Sequence, residues 1–463
     1  MIPVHTFADR TVAVFGLARS GGATVRALVA GRARVVAWDD RADRLQEYAG
    51  AGVEIGNLHS FDFNRVDALV LSPGVPLTHP APHPIVARAR AANKEVIGDI
   101  ELFVRSRPRA RTVGVTGTNG KSTTTALVAH ILEGCGRVVE LGGNIGRPVL
   151  DLAPLEADGF YVLEVSSYQI DLAPSLSCDV AVLINISPDH LDRHGSMAGY
   201  VAVKARLLTN QHRGQAAVIG VDDPHCRSLY DQLARDPNRT IIPISVGHRV
   251  PAGVSVVEGV LVDATEPDET TLDLRQARAL RGSHNWQNAA AAFAAVRALG
   301  LRGPEIAKVL PTFPGLAHRL EEVAQVGPVT FVNDSKATNA DAASKALAAF
   351  DRIYWIAGGR AKEGGIESLR PLFGRIRHTF LIGEAADSFA TTLSPRVPTT
   401  RSATLDCAVA DAGRLALAEG GGVVLLSPAC ASFDQFRDFE ARGEAFRRLA
   451  LAFPGAVPTR VGS

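Results

Sequence analysis

Residues 112–129, TVGVTGTNGKSTTTALVA, decide the fold of this chain. An apolar run at 112–115 is followed by a glycine-rich turn and then by Ala, Leu and Val with helical spacing. A strand, a glycine loop and a helix in this order are typical of a loop that binds nucleotide phosphates at a helix N-terminus. The predicted ATP-binding residues of this loop are Gly117, Thr118, Asn119, Gly120, Lys121, Ser122 and Thr123.

Three residue types give this loop its chemistry. Glycines let backbone N–H groups turn toward phosphate oxygens, Lys121 can neutralise the β- and γ-phosphates, and Ser122 can reach Mg²⁺. The spacing differs from the common GxxxxGK[ST] pattern, because Val115 stands where that pattern has its first glycine. A shorter loop of this kind restricts the choice of protein family. The prediction of ATP binding is unchanged.

The rest of the chain alternates β-branched runs with Ala- and Leu-rich helical segments, which predicts an α/β fold with parallel sheets. The candidate strands fall into three groups: 12–15, 35–38 and 68–71; 112–115, 161–165 and 180–184; and 329–332, 353–356, 379–382 and 423–426. A length of 463 residues also favours about three domains. The predicted domains are Rossmann-like at 1–97, P-loop ATPase-like at 98–314 and Rossmann-like at 315–463.

Composition excludes several classes of protein. Lys plus Arg number 49 and Asp plus Glu number 48, so the chain lacks the basic field that binds nucleic acid. The first residues, MIPVHTFADR, do not resemble a signal peptide, and no uncharged apolar run reaches the length of a membrane span. The five cysteines include no CxxC pair, which favours reduced thiols. We therefore expect a cytoplasmic protein with neither a nucleic-acid nor a membrane partner.

Candidate metal ligands follow two predicted strands of the central group. Glu164 ends one strand, and His190 lies in the segment 189–194 after the next. Ligands meet at the carboxyl ends of parallel strands, and oxygen-rich sites there suit Mg²⁺. Lys204 lies on a predicted helix, where a lysine is by default a solvated surface residue.

Three further segments carry polar residues at the ends of elements. They are 283–288, SHNWQN, before a helix rich in alanine; 333–339, NDSKATN, after a strand; and 16–21, GLARSG, near the N-terminus. Polar clusters at such places are often only helix caps, but helix capping does not explain the presence of Lys336 and Asn339. The third segment suggests a turn that binds a dinucleotide. The middle glycine of that pattern, which allows close approach of a pyrophosphate, is replaced by Ala18, so the segment does not favour NAD binding.

Taken together, these segments resemble the Mur ligases and the folylpolyglutamate synthases, and more narrowly the D-glutamate-adding Mur ligases, over nearly the whole chain. The narrower resemblance rests on 333–339, on 358–362, GGRAK, and on 426–436, LSPACASFDQF. It implies ATP-dependent amide bond formation through an acyl phosphate in peptidoglycan precursor synthesis. The substrates implied are UDP-N-acetylmuramoyl-L-alanine and D-glutamate, and the implied protein is a monomer.

The resemblance also implies roles for individual residues. Further ATP contacts are assigned to Asn285, Asn288, Arg319 and Asp334. The UDP-linked substrate is assigned to Arg19, Ser20, Asp40, Arg41, Ser72, Asn144 and His190. D-glutamate is assigned to Lys336, Thr338, Lys362, Ser432 and Phe439. The catalytic residues implied are Lys121, Lys204, His190 and Glu164, and two Mg²⁺ sites are expected from Ser122, Glu164, His190 and a carbamylated Lys204. His318 and Arg319 are implied at a hinge whose closure assembles the site.

The lysine content supports these assignments from the residues themselves. The chain has seven lysines, and four of them, at 121, 204, 336 and 362, fall on matched positions in a sequence that otherwise favours arginine. A carbamate forms on a neutral primary amine, so position 204 requires lysine. Three alternatives remain open: a related ligase that adds glutamate to a folate, an NAD(P)-binding oxidoreductase, and a non-catalytic nucleotide-binding regulator.

Overall fold

The β-branched runs form three sheets in a computed structural model of the chain, which describes residues 1–48, 52–106, 108–361 and 364–459. The first sheet is parallel, with strand order β3-β2-β1-β4-β5. Its strands are β1 (Thr11–Phe15), β2 (Arg34–Trp38), β3 (Val53–Ile55), β4 (Ala68–Leu71) and β5 (Glu95–Ile97). The accompanying helices are α1 (Arg19–Ala30), α2 (Ala42–Leu45), α3 (Pro84–Ala91) and α4 (Asp99–Arg105).

The second sheet has nine strands in the order β14-β13-β12-β11-β10-β9-β6-β8-β7. They are β6 (Arg111–Thr116), β7 (Val139–Gly143), β8 (Phe160–Glu164), β9 (Val180–Leu183), β10 (Ala216–Gly220), β11 (Thr240–Val246), β12 (Val254–Val257), β13 (Val260–Asp263) and β14 (Thr270–Asp273). Strands β13 and β14 each pair antiparallel with the strand before them, and the other pairs are parallel. Because β6 lies between β8 and β9, the loops after these three strands meet at one edge of the sheet.

Helices of this region include the two predicted from the sequence around the phosphate loop and Lys204. They are α5 (Lys121–Gly134), α6 (Ser167–Asp171), α7 (Leu191–His194), α8 (Met197–Thr209), α9 (Pro224–Leu233), α10 (Ser283–Ala298) and α11 (Gly303–Val309). The alanines of α10 from 289 to 295 are buried, so the helix is apolar around most of its circumference and packs close to its neighbours.

The third sheet has the order β19-β18-β17-β20-β16-β15-β21. Its strands are β15 (Glu321–Val326), β16 (Val329–Asn333), β17 (Ile353–Gly358), β18 (Ile376–Ile382), β19 (Thr399–Ala403), β20 (Gly422–Leu426) and β21 (Val457–Pro458). Its helices are α12 (Ala340–Ala349), α13 (Ala386–Leu393), α14 (Leu405–Ala418) and α15 (Phe439–Leu451). Successive residues of β17 enter different cores: Trp355 belongs to one apolar cluster, and Tyr354 and Ile356 belong to another. Alternation of this kind covers both faces of the sheet.

Each strand predicted from the sequence overlaps an observed strand, which confirms the α/β fold with predominantly parallel sheets. Tertiary contacts divide the chain into unit 1, Met1–Gln276 with Asn285–Pro311, and unit 2, Ala277–His284 with Thr312–Ser463. The first two sheets both lie in unit 1 and share a core that includes Val14 of β1, Leu163 of β8 and Leu183 of β9. The division into three domains at 97/98 and 314/315 stays a prediction. No helix in the described part of the chain is long and apolar enough to cross a bilayer.

Candidate active site

The phosphate loop joins β6 to α5 in a conformation that its glycines allow. Gly117 and Gly120 have φ angles of 156° and 85°, in the range that favours glycine. A Cβ atom on Gly120 would lie 2.1 Å from Oδ1 of Asn288 in α10, so a side chain there would collide with this helix. Asn185, just after β9, holds the loop tip: the backbone N–H groups of Thr118 and Asn119 donate to its backbone and side-chain oxygens, both at 2.9 Å.

Both predicted catalytic lysines reach this loop. Nζ of Lys121 donates to the carbonyl oxygens of Gly117 and Thr118 at 3.0 and 2.8 Å. Nζ of Lys204 donates to the Gly117 carbonyl oxygen at 2.8 Å and to Oγ1 of Thr116 at 3.3 Å. Ser122 and Thr123 are buried in the first turn of α5.

Lys204 is only 1% exposed, so the default expectation of a solvated surface lysine is wrong. Its amine lies 4.9 Å from the ring centroid of Tyr200. Burial, followed by the positive charge of Lys121, holds the pKa of Lys204 well below its ordinary value. A lowered pKa makes the neutral amine easier to form, and the neutral amine is the form that reacts with CO₂.

Glu164 ends β8 as a buried carboxylate with one unused oxygen. Oε1 accepts a hydrogen bond from Nδ2 of Asn144 at 2.7 Å, and the backbone N–H of Asn144 donates to the Glu164 carbonyl oxygen at 2.8 Å. Oε2 is buried and has no hydrogen-bond partner. A buried carboxylate oxygen without a donor fits a cation, because an uncompensated charge is costly to bury. Asn144, assigned to the UDP-linked substrate, directly orients this carboxylate.

His190 lies beside the two lysines on the same edge of the sheet. It precedes α7 with φ of 51°, and its ring centroid is 4.9 Å from that of Tyr168. Burial lowers the pKa of His190 against the opposing charge of Asp189, and the positive charges of Lys121 and Lys204 act in the same direction as burial. A neutral imidazole is the form that binds a metal. Among the residues that the structure describes, no group of three His, Cys, Asp or Glu side chains is arranged to hold a metal ion.

The segment 283–288 lies inside α10 and not before it, as the sequence had suggested. Asn285 and Asn288 are both buried, and Nδ2 of Asn288 donates to Oδ1 of Asn285 at 3.1 Å. Oγ1 of Thr124 in α5 donates to Oδ1 of Asn288 at 3.3 Å. Asn288 thus contacts the base of the phosphate loop and connects α10 with α5.

Five of the seven residues assigned to the UDP-linked substrate, Arg19, Ser20, Asp40, Arg41 and Ser72, follow strands of the first sheet at its carboxyl edge, whereas Asn144 and His190 follow strands of the second sheet. Arg19 begins α1 and donates to the carbonyl oxygen of Gly146, and Arg41 forms an ion pair with Asp43 at 2.8 Å. Asp40 accepts from Nε2 of His59 at 2.8 Å. Ser20 and Ser72 line one small cavity.

Asp39 and Arg193 shape this edge, and neither is among the residues assigned to the UDP-linked substrate. Oδ2 of Asp39 accepts from the backbone N–H of Leu17 at 2.6 Å. Burial opposes its ionisation, but hydrogen bonds from Leu17, Arg41 and Arg44 outweigh burial and lower the pKa of Asp39. Arg193 donates to the carbonyl oxygens of Gly74 and Val75, both at 2.9 Å, and so ties the turn after β4 to α7. An aspartate directly after a predicted strand was the signal available for Asp39, whereas nothing local marks Arg193.

In unit 2, Asp334 follows β16 and is buried. Its Oδ2 accepts from Oγ of Ser427 at 2.8 Å. Burial raises the pKa of Asp334 to about 7, although the bond from Ser427 and the charge of Arg319 act in the opposite direction. The two residues assigned to ATP in this unit therefore interact electrostatically.

Three of the residues assigned to D-glutamate lie together in unit 2. Nζ of Lys336 is 5.3 Å from the ring centroid of Phe439, and the backbone N–H of Thr338 donates to the Lys336 carbonyl oxygen at 2.9 Å. Asn339 caps α12, because its Oδ1 accepts from the backbone N–H of Ala342 at 2.8 Å. The expectation that helix capping does not explain Asn339 is therefore wrong. Lys362 lies outside the described residues.

Arg442 connects the segments that carry Lys336 and Ser432, and sequence reasoning missed it. This side chain is 1% exposed. Nη2 donates to the carbonyl oxygens of Ser335 and Cys430 at 2.8 and 3.1 Å, and Nε donates to Oγ of Ser335 at 3.0 Å. Its place on a helix, three residues after Phe439, gave no signal that its guanidinium bridges two distant loops.

Comparisons with known proteins agree with this geometry. The chain matches the Mur ligase middle domain at residues 115–296 and the Mur ligase glutamate ligase domain at residues 318–430. A UDP-N-acetylmuramoylalanine–D-glutamate ligase of Phenylobacterium zucineum is 54% identical, covering 96% of this chain and 97% of that protein. An enzyme of the same name from Brucella abortus is 51% identical over the full length of both chains.

A solved structure shares the fold at lower sequence identity. The UDP-N-acetylmuramate–alanine ligase of Thermotoga maritima superimposes with a TM-score of 0.58 at 16% identity, covering 95% of this chain and 98% of that one. A structural similarity at this level of identity supports the fold alone. The relatives with high sequence identity determine the family and the group of ligases within it. The chain belongs to the Mur ligase family and, within it, to the UDP-N-acetylmuramoylalanine–D-glutamate ligases.

Proposed function

We propose that this chain joins the carboxyl group of UDP-N-acetylmuramoyl-L-alanine to the amine of D-glutamate, with ATP converted to ADP and phosphate. One observation carries the proposal. Lys121 and Lys204 meet at the Gly117 carbonyl oxygen of a phosphate loop, beside a buried Glu164 whose Oε2 has no donor. The names of relatives with 51–54% identity over nearly the whole chain support the choice of substrates.

The proposed chemistry has two steps. A carboxylate oxygen of the substrate attacks the γ-phosphorus of ATP, the bond to ADP breaks, and an acyl phosphate forms. The neutral amine of D-glutamate then attacks the acyl carbon, phosphate leaves with the electrons of the broken bond, and the amine loses a proton. Two anions approach each other in the first step, so catalysis depends mainly on charge neutralisation and alignment.

Lys121 supplies charge to this first step. In the structure its ammonium group is held by two loop carbonyl oxygens, 3.0 and 2.8 Å away. A phosphate oxygen is a stronger acceptor than a neutral carbonyl, so Lys121 turns toward the β- and γ-phosphates when ATP binds. The backbone N–H groups of the loop and the N-terminus of α5 provide the remaining donors. Asn285, Asn288, Arg319 and Asp334 are proposed as further contacts to ATP.

Mg²⁺ is the metal proposed to accompany ATP here, and when bound it would neutralise charge on the phosphoryl oxygens. Ser122, Glu164, His190 and Lys204 are the residues proposed to hold two ions. The unsatisfied Oε2 of Glu164 supports this assignment. Lys204 becomes a ligand by carbamylation: its neutral amine adds to the carbon of CO₂ and releases a proton, which leaves an anionic carbamate. The buried position of that amine and its lowered pKa support the reaction.

The two other substrates are assigned to different parts of the chain. Arg19, Ser20, Asp40, Arg41, Ser72, Asn144 and His190 are proposed to bind the UDP-linked substrate. Lys336, Thr338, Ser432 and Phe439 are proposed to bind D-glutamate, together with Lys362 on sequence grounds. The cation of Lys336 near the Phe439 ring supports a site for an anionic amino acid. We propose that the protein acts as a monomer in the cytosol.

The proposal is tested by a phosphate-release screen with the full chain, ATP and Mg²⁺. UDP-N-acetylmuramoyl-L-alanine and its glutamate-extended product are each combined with D-glutamate, L-glutamate and D-alanine. Phosphate release is expected only for UDP-N-acetylmuramoyl-L-alanine with D-glutamate. The Lys121→Ala variant is the matched negative control. Equal turnover with L-glutamate, or none with any pair, would reject the assigned reaction.

A further inference from the structure

A row of side-chain hydrogen bonds runs from the phosphate loop to the ends of β10 and β11. The Asn119 backbone N–H donates to Oδ1 of Asn185 at 2.9 Å, and Nδ2 of Asn185 donates to Oε1 of Gln287 at 2.8 Å. Nε2 of Gln287 then donates to Oδ2 of Asp222 at 3.4 Å. Asp222 is itself fixed, because Oγ of Ser245 donates to its Oδ1 at 2.6 Å. All of these residues belong to unit 1.

The two ends of this row determine the orientation of every group between them. A backbone N–H can only donate, and an ionised carboxylate can only accept. Asn185 must therefore turn its oxygen toward the loop and its nitrogen toward Gln287, and Gln287 must turn its nitrogen toward Asp222. If Gln287 lost its acceptor oxygen, or if its side chain turned away from Asn185, the Asn185 amide would be free to flip and would present N–H groups to the Asn119 N–H.

Helix α10 contacts the phosphate loop at a second place, one residue further along. Oδ1 of Asn288 accepts from Oγ1 of Thr124 at 3.3 Å and lies against Gly120. The first turns of α10 thus contact the base of the loop directly through Asn288. They support its tip through Gln287 and Asn185.

We infer that Gln287 is a positioning residue for ATP, which sets the tip of the phosphate loop through Asn185 without touching the nucleotide. The inference rests on the ATP use of the proposed function. Its place between two asparagines assigned to ATP makes Gln287 easy to pass over in the sequence. In the structure its side chain points to the loop tip and to Asp222, away from the Asn288 contacts.

The sharpest test is Gln287→Glu, which keeps the side-chain shape and removes only the donor to Asp222. A carboxylate at 287 faces the Asp222 carboxylate, and like charges at this distance repel, so the side chain turns away and Asn185 loses its acceptor. Binding of ADP with Mg²⁺ to the full chain is measured by titration calorimetry. The Kd of the variant is expected to rise about tenfold, because the loop tip is no longer held in one orientation by Asn185. The KM for D-glutamate is expected to stay unchanged.

Lowering the pH should restore the binding of ADP with Mg²⁺ to Gln287→Glu. A general loss of structure in the variant would not be reversed by acid. A shared proton lets one carboxyl group donate to the other, so the glutamate again acts as Gln287 does. Other ionisable groups at this place are Asp223, Arg227 and His248, whose Nδ1 lies 3.9 Å from Oδ1 of Asp222. The wild-type protein, measured from about pH 5 to 8, corrects for them, since they are common to both proteins.

Two further variants make the outcome decisive. Gln287→Met removes both hydrogen bonds without adding charge, so its weaker binding should not depend on pH beyond the wild type. Gln325→Glu makes the same chemical change at an exposed side chain that donates to the Gly327 carbonyl oxygen in unit 2, and it should bind as the wild type does. If Gln287→Glu and Gln287→Met both bind Mg·ADP within twofold of the wild type, the inference is wrong. A wild type that binds Mg·ADP but makes no product with D-glutamate rejects the proposed substrates and leaves this test intact.

Discussion

Lys121 and Lys204 donate to the same carbonyl oxygen, that of Gly117, at 3.0 and 2.8 Å. The two positive charges repel each other, and Lys204 lies almost wholly out of water. Lys204 therefore loses its proton more easily than an ordinary lysine does. The two lysines therefore share one acceptor, but Lys204 is the one whose pKa is lowered well below its ordinary value.

The Lys204→Ala variant should lose about 100-fold or more of its activity, because it lacks the amine that is proposed to form the carbamate ligand of a metal ion. Acetate or formate should partly restore phosphate release, since either anion can occupy the space left by the side chain. Lys204→Arg is the matched control: it keeps a cation but forms no carbamate, and it should stay inactive with or without acetate. Wild-type activity in Lys204→Arg would exclude carbamylation as a requirement.

The Glu164→Gln variant should fold normally but need far more Mg²⁺. The amide introduced by this substitution can still accept from Asn144 through its oxygen, while the charge at the unpartnered Oε2 is removed. We expect the Mg²⁺ concentration at half-maximal phosphate release to rise at least about tenfold and the maximal rate to fall about 100-fold. Asn144→Ala, which keeps the carboxylate and removes only its donor, should show a smaller shift. An unchanged Mg²⁺ titration for Glu164→Gln would exclude this carboxylate from the metal site.

The Arg442→Lys variant should separate D-glutamate binding from ATP binding. A lysine cannot bridge Ser335 and Cys430 as the guanidinium does, so the segments that carry Lys336 and Ser432 lose their common support. The KM for D-glutamate should rise about tenfold with little change in the KM for ATP. Arg442→Met leaves two buried carbonyl oxygens without donors and should destabilise the protein by about 2–4 kcal/mol in urea. Equal increases in both KM values for Arg442→Lys would argue against a selective positioning role.

We expect Asp334 to make the free energy of unfolding depend on pH, and Asp334→Asn should remove that dependence. Burial raises the pKa of Asp334 from 3.8 to about 7 in the folded protein. Its stabilising contribution is therefore fully present below about pH 4 and is lost as the pH rises through about 7. Relative to the wild type, Asp334→Asn should gain stability from pH 5 to pH 8, by about 2–4 kcal/mol in total.

Urea unfolding can be followed for this variant with a probe inside unit 2. Trp355 is buried there, and its Nε1 donates to the Ser427 carbonyl oxygen at 2.8 Å. Replacing Trp38 and Trp286 with phenylalanine leaves Trp355 as the only tryptophan in the chain. A stability difference between the variant and its parent that does not change with pH would mean that Asp334 titrates at its ordinary value.

The sequence by itself determined the α/β class, the phosphate loop and the family. These features depend on local chemistry: a glycine is needed where φ is positive at 120, and β-branched runs form buried parallel strands. Short spacings of this kind can be read along the chain without knowing which segments pack together. The same local view placed 283–288 before α10 when it lies inside that helix, because the polar residues there resemble a cap.

Only the tertiary structure decided the environment of each functional group. Lys204 is buried because α8 packs it against the loop after β6, 87 positions earlier in the chain. The Oε2 of Glu164 is left without a donor by its surroundings, and Arg442 reaches Ser335 across 107 positions. Burial, charge and hydrogen bonding at such sites come from segments far apart in sequence, and the packing that joins them has no local periodicity from which it could be predicted.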